Sequence, residues 1–171
     1  MSERTGLVTL KGNPVTLEGE GVKVGQAAPD FTAVAADMSE QSLGQYRGKP
    51  IVLCSVPSLD TPVCDVEGQR FNKEAANLGD DAVVLVVSMD APPAIKRWCG
   101  QTGADQIVPL SDFKHWSFAK NWGLRIREIG LLARAVYVID REGKVTYEQI
   151  VPEVAQEPDY DTVLSALKAV A

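Results

Sequence analysis

Apolar residues along the chain follow two different periods, and together they predict a fold of alternating strands and helices. Continuous apolar runs predict strands buried on both faces; they lie at 51–56, 82–88 and 133–140. Residues 145–151 alternate apolar with polar side chains, which is typical of a strand exposed on one face. Apolar residues at helical spacing predict helices over 63–78, from Pro92 to near Gly103, and from Pro158 onwards.

The order of these segments predicts an α/β fold in which helices cover a largely buried sheet. The closing pair of strands before the last helix indicates a central sheet that is mixed rather than all parallel. Shorter patterns predict a strand at 31–34, a strand or extended link at 107–110, and a helix from an Asp112 cap to Trp122.

The N-terminal region predicts a β-hairpin extension over about residues 7–17. Apolar residues 7–10 and 15–17 flank the sequence Lys11-Gly12-Asn13-Pro14, whose composition favours a tight turn. The chain has 171 residues and no internal repeat, so we expect a single domain spanning 1–171.

Composition excludes several classes of partner. The formal net charge is −6, whereas a nucleic-acid-binding surface needs clustered lysine and arginine. No apolar run approaches the roughly 18 residues of a membrane helix. The start lacks the pattern of a signal peptide, and three widely spaced cysteines do not indicate a secreted disulfide framework. We therefore expect a cytoplasmic protein, although a periplasmic protein trimmed of its signal would have the same sequence.

One cysteine occupies a position that favours reactivity. The segment from Pro57 to Cys64 joins the strand at 51–56 to the next helix, so Cys64 lies in the first helical turn, three residues after Thr61. A thiol reacts as its thiolate, and the free N–H groups at a helix start favour that anion. With Cys99 as a second, distant thiol, this position predicts thiol redox chemistry.

Each candidate residue also has a purely structural explanation. Cys54 lies inside an apolar strand, where we expect a core residue without a catalytic role. Cys99 fits a half-buried helical position, and Arg134 fits an exposed strand end equally well. His115 is the only histidine; a cysteine hydrolase would need it as a base, but we expect a surface residue. Closely spaced cysteine pairs are absent, which argues against a zinc site and against a C-x-x-C redox pair.

The spacing Pro57-x-x-x-Thr61-x-x-Cys64 resembles the signature of the peroxiredoxins, which are peroxidases with a thioredoxin-like fold. The likeness runs from about Val8 to the C-terminus. Further stretches resemble the thiol peroxidase branch of that family; they are Trp98-Cys99-Gly100, Gly130-Leu131-Leu132-Ala133-Arg134-Ala135-Val136 and Glu157-Pro158-Asp159-Tyr160.

The resemblance implies a role for each of five residues. Cys64 would be the peroxidatic cysteine and Cys99 the resolving one, joined in an intrachain Cys64–Cys99 disulfide during turnover. Thr61 and Arg134 would line the peroxide pocket, and Pro57 would shield it. The family further implies hydroperoxide substrates, thioredoxin as reductant and neither a metal nor an organic cofactor. It also implies a homodimer, with the motif loop and the tryptophan-bearing segments near its interface.

The charges around the helix start oppose a thiolate there. Asp60, Asp65 and Glu67 suit a helix N-terminus but disfavour a neighbouring anion. Arg134 and Arg70 must therefore outweigh them, and Arg134 also offers a fork of donors for the anionic transition state of peroxide cleavage.

Two other functions stay open from the sequence alone. A redox sensor or holdase would use the same cysteine oxidation as a switch, and it need not turn over quickly. A general thiol–disulfide oxidoreductase is the other alternative, although the missing C-x-x-C pair counts against it.

Overall fold

A computed structural model describes residues 1–171. The strands are β1 (Glu3–Leu10), β2 (Asn13–Glu18), β3 (Thr32–Ala35), β4 (Glu40–Ser42), β5 (Ile51–Ser55), β6 (Val83–Ser88), β7 (Val108–Ser111), β8 (Arg125–Ile126), β9 (Ala135–Ile139) and β10 (Val145–Ile150). The α-helices are α1 (Pro62–Leu78), α2 (Pro92–Thr102), α3 (Ser117–Trp122) and α4 (Tyr160–Lys168), with 3₁₀ turns at Leu43–Tyr46 and Gly79–Asp81.

Seven strands form a mixed sheet in the order β10-β9-β5-β6-β7-β3-β4. Strands β5, β6 and β7 run parallel, while every other pairing in this sheet is antiparallel. The predicted α/β class with a mixed central sheet is thus confirmed. The N-terminal hairpin, β1 and β2, joins β8 in a separate three-stranded sheet.

Both faces of the seven-stranded sheet are covered, which explains the continuous apolar runs. One face packs against α1, α2 and α4 through side chains such as Val52 and Cys54 of β5. The other face packs against α3 and the three-stranded sheet through alternate residues such as Ile51 and Leu53. Because neighbouring residues of a strand point to opposite faces, each of these faces buries its own apolar core.

The structure departs from the predicted elements in a few places. The hairpin is longer than predicted, and the two short strands β4 and β8 were not predicted. The helix predicted from Asp112 begins only at Ser117. Asp112 still caps it, because the Asp112 carboxylate accepts the amides of Phe118 and Ala119 at 2.9 and 2.8 Å. The last helix begins at Tyr160 rather than Pro158, with Asp159 as its N-cap.

The register of the sheet sets the position of the candidate site. Strand β9 pairs antiparallel with β5, so that Ala135 lies opposite Ser55 at the end of β5. Arg134 precedes β9, and the loop to α1 follows β5, so both lie at the same edge of the sheet. None of the helices is long and apolar enough to cross a membrane.

Candidate active site

Cys64 is buried in the first turn of α1. Thr61 is the N-cap and Pro62 the first helical residue, a position that suits proline because it needs no donor. The first intrahelical hydrogen bond joins the Asp65 amide to the Thr61 carbonyl at 2.9 Å. The amides of Val63 and Cys64 therefore lie among the unpaired donors of a helix start, which favour an anion.

The guanidinium of Arg134 lies against the Cys64 sulfur, with Nη2 donating to Sγ at 3.3 Å. Arg134 is 1% exposed, so its explanation as a solvent-exposed strand end is wrong. Burying a cation without partners is costly, and this arginine is held by partners on every side. The contact places a permanent positive charge directly beside the buried thiol.

Glu67 completes this cluster, and the sequence prediction missed its role. One carboxylate oxygen pairs with Arg134 Nη1, and Glu67 is 1% exposed. Its other oxygen, Oε1, is buried without a hydrogen-bond partner. Burial raises the pKa of Glu67 to about 7, against the opposing effect of Arg134. The sequence signal that could have revealed this role is spacing. Glu67 follows Cys64 by three residues, and residues three apart on a helix share a face.

The Val154 carbonyl fixes the remaining side of Arg134. It accepts from Nε at 3.1 Å and from Nη2 at 2.9 Å. Burial alone would lower the pKa of Arg134, but the charges of Glu67 and Cys64 outweigh burial and raise it. The arginine is therefore cationic and held in one orientation by four contacts.

Pro57 and Thr61 lie with Arg134 around one open pocket of about 430 Å³. Pro57 is buried, whereas Thr61 is exposed. Apolar side chains form much of the remaining wall; they include Leu10, Ile129, Leu131 and Val154. The structure thus brings three of the five predicted residues to one pocket, and the Cys64 sulfur lies behind it on Arg134.

The Thr61 hydroxyl donates its proton to the Ser58 carbonyl at 2.7 Å. Its oxygen lone pairs are therefore left to accept a hydrogen bond. Asp90 holds the same loop, accepting from the Ser58 hydroxyl at 2.6 Å and the Leu59 amide at 2.8 Å. The Ser88 hydroxyl also donates to Asp90, at 2.8 Å, so the loop is tied to the end of β6.

Cys99 lies on α2, half-buried against the core between α2 and α1. Burial raises the pKa of its thiol. The Trp98 indole donates to Asp65 at 2.8 Å and links the two helices. All three cysteines are free thiols, so the structure shows the dithiol state.

The other candidates lie away from this cluster or inside the core. Cys54 is fully buried, and burial raises the pKa of its thiol well above the ordinary value. His115 contacts Glu40 at 2.7 Å, and Arg70 pairs with Glu74 at 2.9 Å while stacking on the Tyr160 ring. Arg70 therefore pairs with Glu74 rather than with any of the acidic residues near Cys64, and only Arg134 contacts the sulfur.

The site can do specific chemistry. A thiol beside a fixed cation and free amides is set up for nucleophilic attack, and the pocket gives a small molecule access to the cation. Groups of three or more histidine, cysteine, aspartate or glutamate residues that could hold a metal ion are absent.

Comparisons with known proteins find similar sequences over nearly the whole chain. The redoxin family matches residues 23–164. A thiol peroxidase of Bacillus subtilis (strain 168) is 46% identical over 162 residues, which are 95% of this chain and 96% of that protein. A thiol peroxidase of Halalkalibacterium halodurans is 49% identical over 162 residues, covering 95% and 97%.

Solved structures are similar over nearly the whole chain. A peroxiredoxin-like protein from Aquifex aeolicus has a TM-score of 0.91 at 43% identity, covering 98% of this chain and 99% of that one. A thiol peroxidase from Chromobacterium violaceum has a TM-score of 0.85 at 19% identity, covering 95% of both chains. The latter likeness concerns the fold alone.

Proposed function

Because this chain belongs to the redoxin family and matches thiol peroxidases over nearly its full length, we propose that it reduces hydroperoxides through Cys64. The observation that carries the proposal is the 3.3 Å contact between the Cys64 sulfur and Arg134 behind an open pocket. A cation in that place stabilises both the attacking thiolate and the negative charge that develops on the peroxide.

In the first step the Cys64 thiolate attacks one peroxide oxygen. A sulfur–oxygen bond forms, the oxygen–oxygen bond breaks, and the second oxygen leaves as an alkoxide or hydroxide that takes a proton. Cys64 is oxidised to a sulfenic acid, and the peroxide is reduced to an alcohol or water. Arg134 faces the charge that moves from sulfur to oxygen, which is where a fixed donor lowers the barrier most.

Thr61 orients the peroxide in this proposal. Its hydroxyl proton is committed to the Ser58 carbonyl, so its oxygen accepts the peroxide O–H at the pocket. Pro57 forms the buried wall beside it and limits water around the thiolate. The positions of these residues support the roles that the family resemblance implies.

In the second step Cys99 resolves the sulfenic acid. The Cys99 thiol attacks the Cys64 sulfur, the sulfur–oxygen bond breaks, and water leaves, giving an intrachain Cys64–Cys99 disulfide. A dithiol protein then returns both cysteines to thiols by exchange, and we propose thioredoxin for this role. One cycle thus consumes one hydroperoxide and one dithiol.

We also propose a homodimer and a cytoplasmic location. Phe113 and Trp116 are exposed aromatic side chains, which are enriched in protein interfaces. An odd number of cysteines in a chain that depends on a dithiol reductant favours a reducing compartment.

The test is stopped-flow consumption of hydrogen peroxide and an organic hydroperoxide with thioredoxin supplied. We expect repeated turnover by the wild type and by Cys54→Ser, and none by Cys64→Ser. A single round of oxidation that thioredoxin cannot reverse would indicate a sensor instead. A folded Cys54→Ser variant without activity would contradict the assignment of Cys64.

A further inference from the structure

The N-terminal hairpin reaches the Arg134 cluster through one residue, Val154. The Val154 amide donates to the Thr9 carbonyl of β1 at 2.9 Å, and the Thr9 amide donates to the Pro152 carbonyl at 2.7 Å. The carbonyl of the same Val154 accepts two hydrogen bonds from Arg134. One short piece of backbone therefore joins the hairpin to the guanidinium beside Cys64.

Glu153 ties this backbone to the tip of the hairpin. Its Oε1 accepts from the Gly12 amide at 2.8 Å and from the Thr9 hydroxyl at 3.2 Å. Its Oε2 accepts from the Ala155 amide at 2.9 Å and so fixes the turn that contains Val154. The Glu153 carboxylate thus binds both the hairpin and the segment that contains Val154.

Sequence position makes this junction surprising, because Thr9 and Glu153 are separated by 144 residues. The hairpin tip also forms part of the pocket wall, through Leu10 and Lys11. The hairpin therefore contributes to the pocket in two ways. Its tip forms part of the wall, and its strand β1 binds the segment whose carbonyl holds Arg134.

We propose that the N-terminal hairpin is part of the catalytic site, with Glu153 as a positioning residue that holds Arg134 in place through the Val154 carbonyl. Two of the four contacts of Arg134 end on that carbonyl, so a shift of residues 152–155 moves the guanidinium relative to the sulfur. Small displacements of a catalytic group are costly in rate. The inference rests on the proposed role of Arg134 in peroxide reduction.

The first experiment compares Glu153→Ala with wild type in two half-reactions. We expect Cys64 oxidation by peroxide to slow about tenfold, because Arg134 is less well positioned. Reduction of the preformed disulfide by thioredoxin should keep its wild-type rate, since that step does not use Arg134. General weakening of the fold would slow both steps, so the split distinguishes positioning from stability.

Matched variants sharpen the comparison. Glu153→Gln keeps one acceptor oxygen and should oxidise at an intermediate rate. Glu3→Ala removes a glutamate of the hairpin itself, one that pairs with Arg127 far from the tip, and should oxidise like wild type. Hydrogen exchange at the Val154 amide should rise in Glu153→Ala and stay low in Glu3→Ala.

A second variant removes the backbone contact directly. The Thr9 amide points to Pro152 rather than to β2, so Thr9→Pro removes this hydrogen bond and the hydroxyl contact with Glu153 while it spares the hairpin ladder. Slow Cys64 oxidation in both Thr9→Pro and Glu153→Ala supports the proposal. Wild-type oxidation rates in both would overturn it, whatever the hydrogen exchange shows.

The same data separate this inference from the proposed function. If wild type itself fails to reduce peroxides, the proposed function is wrong. If wild type turns over and the two variants match it, only the role of the hairpin is wrong.

Discussion

At the scale of single residues, two acids share one buried cation. Arg134 contacts the Cys64 sulfur with one nitrogen and the Glu67 carboxylate with another. The second oxygen of Glu67 has no hydrogen-bond partner, so Arg134 offsets the burial of only one of the two carboxylate oxygens. Two anions beside one cation in a buried site are unfavourable. Burial raises the pKa of Glu67 to about 7, so Glu67 carries a proton below neutral pH and then no longer competes as an anion with the Cys64 sulfur for Arg134.

This arrangement predicts a pH-dependent stability. The pKa of Glu67 is raised from 4.5 to about 7 on folding, so between these values the folded protein holds a proton that the unfolded chain lacks. Stability therefore falls as pH rises through that window, by a few kcal/mol at most. Urea unfolding of the reduced protein at about pH 5 and about pH 8 measures the change.

Glu67→Gln is the control, because its amide does not titrate. The stability difference between the two pH values should be smaller in this variant than in wild type, since other groups titrate alike in both. Equal differences in the two proteins would show that Glu67 is ionised throughout the range.

Thr61 carries a second prediction at the residue scale. Thr61→Val removes the hydroxyl of a residue that lines the pocket but keeps the shape of the side chain. We expect Cys64 oxidation to slow on the order of ten- to a hundredfold, because the peroxide loses an orienting acceptor. Thr61→Ser keeps the oxygen and should be milder. Stopped-flow rates decide the matter, and a wild-type rate in Thr61→Val would remove this residue from the mechanism.

At the scale of elements, the loop before α1 must be firm for attack and must then open. Asp90 fixes the loop by three hydrogen bonds from Ser58, Leu59 and Ser88. It also lies two residues before α2, the helix of Cys99. The Asp90 carboxylate therefore joins the loop before Cys64 to the start of the helix that carries Cys99.

Asp90→Asn tests this connection. In the wild type Oδ1 accepts from Ser58, and Oδ2 accepts from both Leu59 and Ser88. Asparagine replaces one of these oxygens with an amide nitrogen that cannot accept, so at least one donor loses its acceptor and the loop should open more easily. We expect slower Cys64 oxidation but less over-oxidation in excess peroxide, because Cys99 reaches the sulfenic acid sooner. Mass spectrometry of sulfinic acid at Cys64 measures the partition. Asp80→Asn changes an exposed carboxylate in the turn after α1 and should match wild type. Wild-type over-oxidation in Asp90→Asn would contradict the expected effect of the loop.

The proposed Cys64–Cys99 disulfide is expected to require motion of one or both helices that carry the two cysteines. A disulfide needs Cα atoms within about 7 Å, and side chains packed on separate helices seldom meet that requirement. Cys64 is buried in the first turn of α1, and Cys99 lies near the end of α2, four residues before the left-handed Gly103. We therefore expect the first turn of α1, the end of α2, or both to unwind after oxidation.

One equivalent of peroxide should produce this change. Tryptic mass mapping should find an intrachain bridge between Cys64 and Cys99, and hydrogen exchange should rise at both segments. In Cys99→Ser, Cys64 should stop at sulfenic acid and over-oxidise more readily. An intermolecular bridge, or one between Cys64 and Cys54, would show that a different thiol resolves the intermediate.

At the scale of the whole molecule, what the sequence predicts depends on how local each signal is. The buried strands β5, β6 and β9 are visible because each is apolar along its length. Strand β4, Glu40-Gln41-Ser42, carries no such pattern and forms only because β3 lies beside it. Within the site, the place of Cys64 at a helix start is a local property, and the sequence predicts it.

Other parts of the site depend on contacts that no local pattern encodes. Arg134 is buried because β9 pairs with β5 in one register, which brings the end of one strand beside the start of another. Glu67 has the sequence context of an ordinary acid near a helix start, and only the burial of Arg134 gives it a role. The junction of Thr9 with Glu153 joins the two ends of the chain, so spacing in the sequence does not reveal it.

The assembly carries the last prediction. Of the three tryptophans, Trp98 and Trp122 are buried within the chain, so we place the proposed interface at the segment of Trp116. Trp116 is 42% exposed and neighbouring Phe113 is 59% exposed. Sedimentation at micromolar concentration should give twice the 18.4 kDa chain mass.

Phe113→Glu should yield monomers, because it places a charge in an aromatic contact. Val24→Glu, at the opposite edge of the sheet, should remain dimeric, and a wild-type monomer across that range would exclude the dimer while leaving the chemistry of Cys64 intact.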